Sequence, residues 1–213
     1  MAARVFNSGS EFDMNRHGFI PSVTIETAPD APKEADDFSG DAFARSRRMQ
    51  LRSIRYADIP ALSRLYACTL THPLLVESPT RFIDVAAQVA RINRDYAESP
   101  GLGTWRADTH DGHFVGTFSL LPVDGTDDVQ VGARLMPQVW GRWFAIEGGH
   151  LLCRQAFDVL GLPRLLGFCH RDHRTARSVL LRFGFHGMGE QLELVHRYEL
   201  EASAWREARR LYT

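Results

Sequence analysis

The join between residues 129 and 156 constrains this chain most. Val129 to Met136 alternates like a strand, and beyond Pro137 and Gly141 the chain enters an amphipathic helix running from Trp143 to about Leu160. Phe144, Leu151, Leu152, Ala156 and Val159 fall on one stripe of that helix, the longest expected in the chain, and Gly161 stops it. A helix that starts directly after a strand presents unpaired N–H groups at its first turn, and such a turn holds anions. Gly141 stands just before the helix, where the missing Cβ lets backbone approach a phosphate. Taken alone, a glycine at such a turn is common in α/β domains and has no functional meaning.

The pattern around the join completes an α/β layout. Leu51 to Arg55 reads as a strand, with Asp58 at the N-cap position before a helix face made by Ile59, Leu62, Leu65 and Tyr66. Phe82, Val85, Val89 and Ile92 mark a second helix that ends before Pro100. Leu102 to Ala107 and Phe114 to Leu121 read as strands joined across Asp111-Gly112, and Asp124 to Asp127 turn the chain into the strand at Val129. After the long helix, the apolar run Leu165 to Cys169 suits a strand covered on both faces. Ala176, Val179, Leu180 and Phe183 form a helical face closed by Gly184. Phe185, an alternating strand from Leu192 to Leu200 and a polar helix through Trp205 follow. The expected fold is a single α/β domain over residues 50–213, with a mixed central β-sheet and helices on both faces. Residues 1–49, rich in Pro, Gly, Ser and Asp, read as a tail. Within it, 7–12 looks like a cloning-linker remnant, and Ser22 to Thr27 alternates like a short strand.

Charge and cysteine usage narrow the function classes. The 25 Lys plus Arg nearly cancel the 26 Asp plus Glu, so no global field draws the chain to nucleic acid or to an anionic membrane. No apolar run approaches the roughly 20 residues that span a bilayer, and the N-terminus has no signal-peptide core, so a soluble, cytoplasmic protein is expected. Cys68, Cys153 and Cys169 are odd in number and widely spaced, which suits free and mostly buried thiols. His170, Asp172 and His173 are close in sequence but lack a further convincing partner, so no metal is expected.

Four segments carry a resemblance. Val131 to Pro137, Trp140 to Glu147, Ala156 to Arg164 and Leu181 to Phe185 stand in the order and near the spacing seen in GNAT acetyltransferases. The similarity covers roughly residues 50–200. It is closest to the RimJ/RimL-like branch that acetylates protein N-termini and small amines. The resemblance implies acetyl-CoA as cosubstrate, a GNAT-type fold and an N-acetyltransferase acting on a primary amine of a peptide or small molecule, with a homodimer left open. The family's Gln/Arg-x-x-Gly-x-Gly/Ala signature would fall on Gln138, Gly141 and Trp143, whose loop would bind the pyrophosphate through backbone N–H groups, while the preceding strand pairs with the pantetheine arm. Leu135, Met136, Gln138, Gly141, Arg142, Trp143, Phe144, Ala145 and His173 are the expected cofactor-binding residues.

The chain also departs from that pattern. Trp143 replaces Gly or Ala, and the usual Asn-x-x-Ser reads His173-Arg174-Thr175-Ala176. Gln130 takes the place of a Glu, and Leu180 that of a Tyr that protonates the departing thiolate. A protonated amine must still lose its proton, which makes Asp128 and His170 the candidate catalytic bases. Glu147, in the first turn of the long helix, is read as structural. Arg171, Arg174 and Arg177 are placed to line the cofactor entrance or simply to face solvent. Trp140 and Trp143 are expected to cover the site or to pack in the core, and the Trp143 indole to turn away from the pyrophosphate. The alternative reading is a silent GNAT domain that binds CoA or a partner protein without turnover.

Overall fold

The computed structural model describes residues 42–68, 81–192 and 194–210; the expected strand at 22–27 and the segment 7–12 lie outside the described residues. The strands are β1 (Ala42–Arg45), β2 (Met49–Ser53), β3 (Gly103–Thr109), β4 (Phe114–Pro122), β5 (Val129–Leu135), β6 (Arg164–His170), β7 (His186–Leu192) and β8 (Val195–Glu201). They form one mixed sheet in the order β1-β2-β3-β4-β5-β6-β8-β7. The helices are α1 (Ile59–Tyr66), α2 (Phe82–Glu98), α3 (Phe144–Arg154), α4 (Arg174–Arg182) and α5 (Ala202–Arg210).

Two cores cover the two faces of this sheet. On one face α1 and α2 bury Leu62, Leu65, Tyr66, Val85, Val89 and Ile92 together with Ile54. On the other, α3, α4 and α5 share a larger core with Phe118, Leu120, Ala133, Leu135 and Phe168. Close approach of α3 depends on Gly148: a Cβ there would meet the Phe118 ring at 2.2 Å. Cys153 and Cys169 are buried, and none of the three cysteines forms a disulfide, as expected.

Several local expectations are corrected. β1 falls in the stretch assigned to the tail, yet it pairs antiparallel with β2 at Ala44↔Leu51 and Arg45↔Gln50, and Phe43 stacks on Trp105 at 4.0 Å. Four residues are too few to announce a strand by alternation. Among the described residues the longest helix is α2, of 17 residues. α3 is α-helical for 11 residues and then winds into a π turn over Gln155–Val159, where the Leu160 N–H bonds the Gln155 carbonyl. That wider winding rotates Val159 off the stripe, leaving it 62% exposed. The expected strand 192–200 is β8, beginning three residues later at Val195, and the stretch after Phe185 is β7, paired antiparallel with it. Trp205 in the polar helix α5 is buried against Phe157 at 5.4 Å.

The feature that creates a site is the seam between β5 and β6. These strands run parallel, but they are in register only at Gln130↔Leu166 and Val131↔Gly167. β6 then follows β8 to its end at His170↔Val195, while β5 follows β4 to Leu135↔Gly116. The seam therefore opens after Val131 and Gly167, toward the turn that carries Gly141.

Candidate active site

β5 leaves the sheet through a 3-10 turn, Pro137–Val139, held by the Val139 and Trp140 N–H groups on the Met136 and Pro137 carbonyls. The Trp140 indole N–H donates to the Leu135 carbonyl at 3.0 Å, so this tryptophan clasps the turn to the strand end. Gly141 and Trp143 are both left-handed, at φ +73° and +68°. Trp143 is the N-cap of α3 and gives no side-chain cap. The first intrahelical bond runs from the Glu147 N–H to the Trp143 carbonyl at 3.0 Å. The N–H groups of Phe144, Ala145 and Ile146 thus have no intrahelical acceptor, and with the two left-handed residues they form a concave donor set at the positive helix end. The residues fit a diphosphate. Leu135, Phe144 and Ala145 are buried supports of this turn, Met136 is partly buried, and Gln138 and Arg142 are exposed at its rim.

The Trp143 indole leaves the donor set. Its ring lies beneath the Arg182 guanidinium, 4.7 Å from centroid to Cζ, and the side chain is half-buried. It therefore packs on the last turn of α4, which is neither the deep core nor the open seam. The backbone also shows a second reason for the small residue in the family signature: a left-handed residue without a Cβ avoids a steric penalty that Trp143 bears.

Glu147 ties α3 to the β1–β2 turn. Its carboxylate accepts from the Ser46 hydroxyl, the Arg48 N–H at 2.8 Å and the Arg48 Nε at 2.7 Å. This is a structural clamp at a helix start, as the sequence reading held.

The two candidate bases lie at opposite ends of the seam. Asp128 precedes β5 at the closed end, and Arg164 Nε and Nη2 donate to its two oxygens at 2.7 and 3.0 Å. With both oxygens engaged, and the opening three residues further along β5, Asp128 serves to pin the paired strand ends; it does not suit the role of base. His170 ends β6 at the open end, its side chain 19% exposed. Its Nδ1 accepts the Asp172 N–H at 3.2 Å, and an Asp172 carboxylate oxygen lies 3.7 Å away. Because Nδ1 accepts that N–H, the neutral ring carries its proton on Nε2 here; only the other tautomer, with Nδ1–H turned to the carboxylate, would free the Nε2 lone pair.

His173 replaces an asparagine without loss of its local task. Its Nδ1 accepts the Ala176 N–H at 3.2 Å and so caps α4. Burial pulls its pKa down to about 4, so the ring is neutral and its proton sits on Nε2. That Nε2 is buried and has no partner, a donor left over beside the seam. Gln130 is buried in the seam's closed end, and Leu180 packs against Gly167, where a Cβ would come within 2.8 Å of it. Neither offers a proton. Arg171, Arg174 and Arg177 are exposed on the β6–α4 connection and α4. Among the described residues no group of three His, Cys, Asp or Glu side chains could hold a metal ion.

An α/β sheet opened between two parallel strands, with an anion-binding helix start at the end of one of them, is an arrangement that suits a phosphate-bearing cofactor. Residues 48–186 match the family model of the acetyltransferase (GNAT) domain, and the chain belongs to that family. Among solved structures it is similar to an acetyltransferase from Agrobacterium tumefaciens str. C58, at 21% identity and a TM-score of 0.66, over 79% of this chain and 99% of that one. It is also similar to RimJ of Mycobacterium smegmatis in complex with CoA-disulfide, at 17% identity and a TM-score of 0.64, over 76% of this chain and 87% of that one. At these identities the likeness concerns the fold. A curated relative, FsC-acetyl coenzyme A-N(2)-transacetylase of Aspergillus fumigatus (strain ATCC MYA-4609 / CBS 101355 / FGSC A1100 / Af293), is 34% identical over 93 residues, which span 40% of this chain and 39% of that protein.

The sequence reading missed one part of the site region. Arg134 lies in β5, 1% exposed, where the apolar run Val131 to Leu135 is interrupted by a charge. Alternation over Val129, Val131, Ala133 and Leu135 assigns Arg134 to the polar face of β5, so periodicity carried no sign of its burial.

Proposed function

We propose that this chain transfers the acetyl group of acetyl-CoA to a primary amine by direct attack. The observation that carries the reading is the uncapped start of α3, with left-handed Gly141 and Trp143, placed at the open end of the β5–β6 seam. The α3 N–H groups bind the diphosphate, and the unpaired edge of β5 beyond Val131 is available to the pantetheine amides. His173 Nε2–H is a further donor for a carbonyl of that arm. Oriented this way, the thioester carbonyl faces an amine held beside it, and most of the rate comes from positioning.

The reaction needs a neutral amine. Nitrogen forms a bond to the thioester carbon, the C–S bond breaks, and CoA leaves as a thiolate while the amine loses a proton. His170, in the tautomer that turns Nδ1–H to the Asp172 carboxylate, is the group placed to collect that proton at Nε2 through water. With Leu180 in place of a tyrosine, the thiolate takes its proton from solvent or from the histidine so charged.

Calorimetry with acetyl-CoA, followed by thiol release over a panel of amines and N-terminal peptides, tests the reading. Micromolar binding with turnover on at least one amine is expected. Binding without turnover on any amine would leave a silent CoA-binding domain, and no binding at millimolar acetyl-CoA would overturn the assignment altogether.

A further inference from the structure

The face of the sheet beneath α1 and α2 carries a row of polar side chains at one level across four strands, through the pairs Arg52↔Arg106, Arg106↔Thr117 and Thr117↔Arg134. The first half of this row is electrically closed. Asp58 accepts from Arg52 Nη1 and Nη2 at 2.9 Å and from Arg106 Nη1 at 3.0 Å, while Asp108 takes the rest of Arg106 and approaches Arg52 Nε at 3.4 Å. Two carboxylates balance two guanidiniums.

The second half is open. Arg134 is 1% exposed, and its Nε and Nη2 have no hydrogen-bond partner. Beside it, the hydroxyls of Thr117 and Ser119, each 1% exposed, are also without partners. Its guanidinium lies over the Tyr66 ring at the end of α1, 4.9 Å from Cζ to the centroid. Burial lowers the Arg134 pKa only to about 10, so the group stays cationic at neutral pH. A buried cation with no carboxylate paired to it among the described residues is costly, and unmet donors beside it add to that cost. Such a cluster is explained when an anion completes it.

The position selects which anion. The diphosphate donors start α3, whose core lies on the opposite face of the sheet from Tyr66 and α1. Arg134 therefore does not serve the diphosphate. It lies on β5 beyond Val131, along the opened seam, on the face that carries the polar row, whereas α3 and α4 fill the other with apolar side chains. We propose that Arg134, flanked by Thr117 and Ser119, binds a carboxylate of the acceptor, so that the amine acetylated by this chain belongs to an amino-carboxylic acid. The proposal rests on the transferase reading and sharpens it. A polyamine would bring a second positive charge toward Arg134, whereas an amino acid brings the charge the cluster lacks. The planar guanidinium fork, with two adjacent hydroxyl donors, matches a carboxylate's two oxygens.

The test compares α- and ω-amino acids with their carboxamides, using the full chain and thiol release from acetyl-CoA. The acids should be preferred in kcat/KM by at least about tenfold, because a site built around charged hydrogen bonds rejects the analogue lacking the charge. Arg134→Gln should lower turnover of the acid by about 100-fold while leaving the carboxamide within about threefold. Thr117→Val, nearly isosteric, keeps the fold should Arg134→Gln not, and should weaken the acid alone by roughly three- to tenfold. Equal turnover of acid and amide by the natural chain, or equal losses on both in the variants, would overturn the proposal. If no amine is turned over, calorimetry of the same acids against the CoA-saturated chain still decides: binding lost in Arg134→Gln supports the site, and no binding of any acid overturns it.

Discussion

Trp143 offers the sharpest test of how the cofactor turn is built. A non-glycine residue in the left-handed region costs about 1–2 kcal/mol, and Trp143 sits there at φ +68° because the helix start demands it. The indole offsets part of that cost by stacking under Arg182, a contact worth about 0.5–1 kcal/mol at a partly exposed position. Two substitutions separate these effects. Trp143→Ala keeps the strain and loses the stack, so it should unfold about 1 kcal/mol more easily than the natural chain. Trp143→Gly loses the same stack but removes the strain. After the extra backbone freedom of glycine in the unfolded chain is deducted, it should be about 1 kcal/mol more stable than Trp143→Ala, or roughly 2–4 °C in Tm for a chain of this size. Urea unfolding of the pair reads this difference directly. CoA affinity, measured by calorimetry, should stay within about threefold in both variants, since the ring points to α4 and the donors are backbone N–H groups. An alanine variant as stable as the glycine one would refute the strain. A gain above about tenfold in CoA affinity for Trp143→Gly would show that the indole blocks the phosphate turn.

Other outcomes follow from the same geometry. Burial holds the His173 ring neutral down to about pH 4, whereas in the unfolded chain it protonates near 6.5, so the unfolded state binds the extra proton between these values. His173 therefore contributes stability that is whole above pH 6.5 and lost as pH falls toward 4; His173→Asn, which keeps a capping acceptor for the Ala176 N–H, should flatten the stability profile in that window. Glu147→Gln weakens the clamp on Ser46 and Arg48 and should cost about 1.5–3 kcal/mol in urea unfolding. Asp128→Asn should leave kcat unchanged at saturating amine, because both oxygens are engaged by Arg164. His170→Gln should lower kcat/KM on the order of 100-fold at neutral pH, with the loss shrinking as pH rises and the amine arrives deprotonated; equal activity of the two variants would remove the histidine from the mechanism.

The sequence by itself determined the layout and the cofactor turn. Helix and strand periods are local properties, and Val129 to Ala156 carries both periods with a glycine between them, so the strand, turn and helix and their anion-binding character follow from neighbours along the chain. Glu147 was legible for the same reason, as a carboxylate in a first helical turn. What the tertiary structure decided depends on partners distant in sequence. Asp128 looked free until Arg164, brought alongside by the parallel pairing of β5 and β6, took both of its oxygens. β1 became part of the sheet only because β2 and Trp105 were there to receive it, and Val159 left its stripe because a π turn changed the winding. Arg134 shows the division most clearly. Alternation along β5 assigns its charge to the polar face; that it is buried there, and that Arg52 and Arg106 on the same face are ion-paired while its Nε and Nη2 are not hydrogen-bonded, emerges only when β2, β3, β4 and β5 are laid side by side. Charge balance is a sum over spatial neighbours, and one-dimensional periodicity contains no such sum.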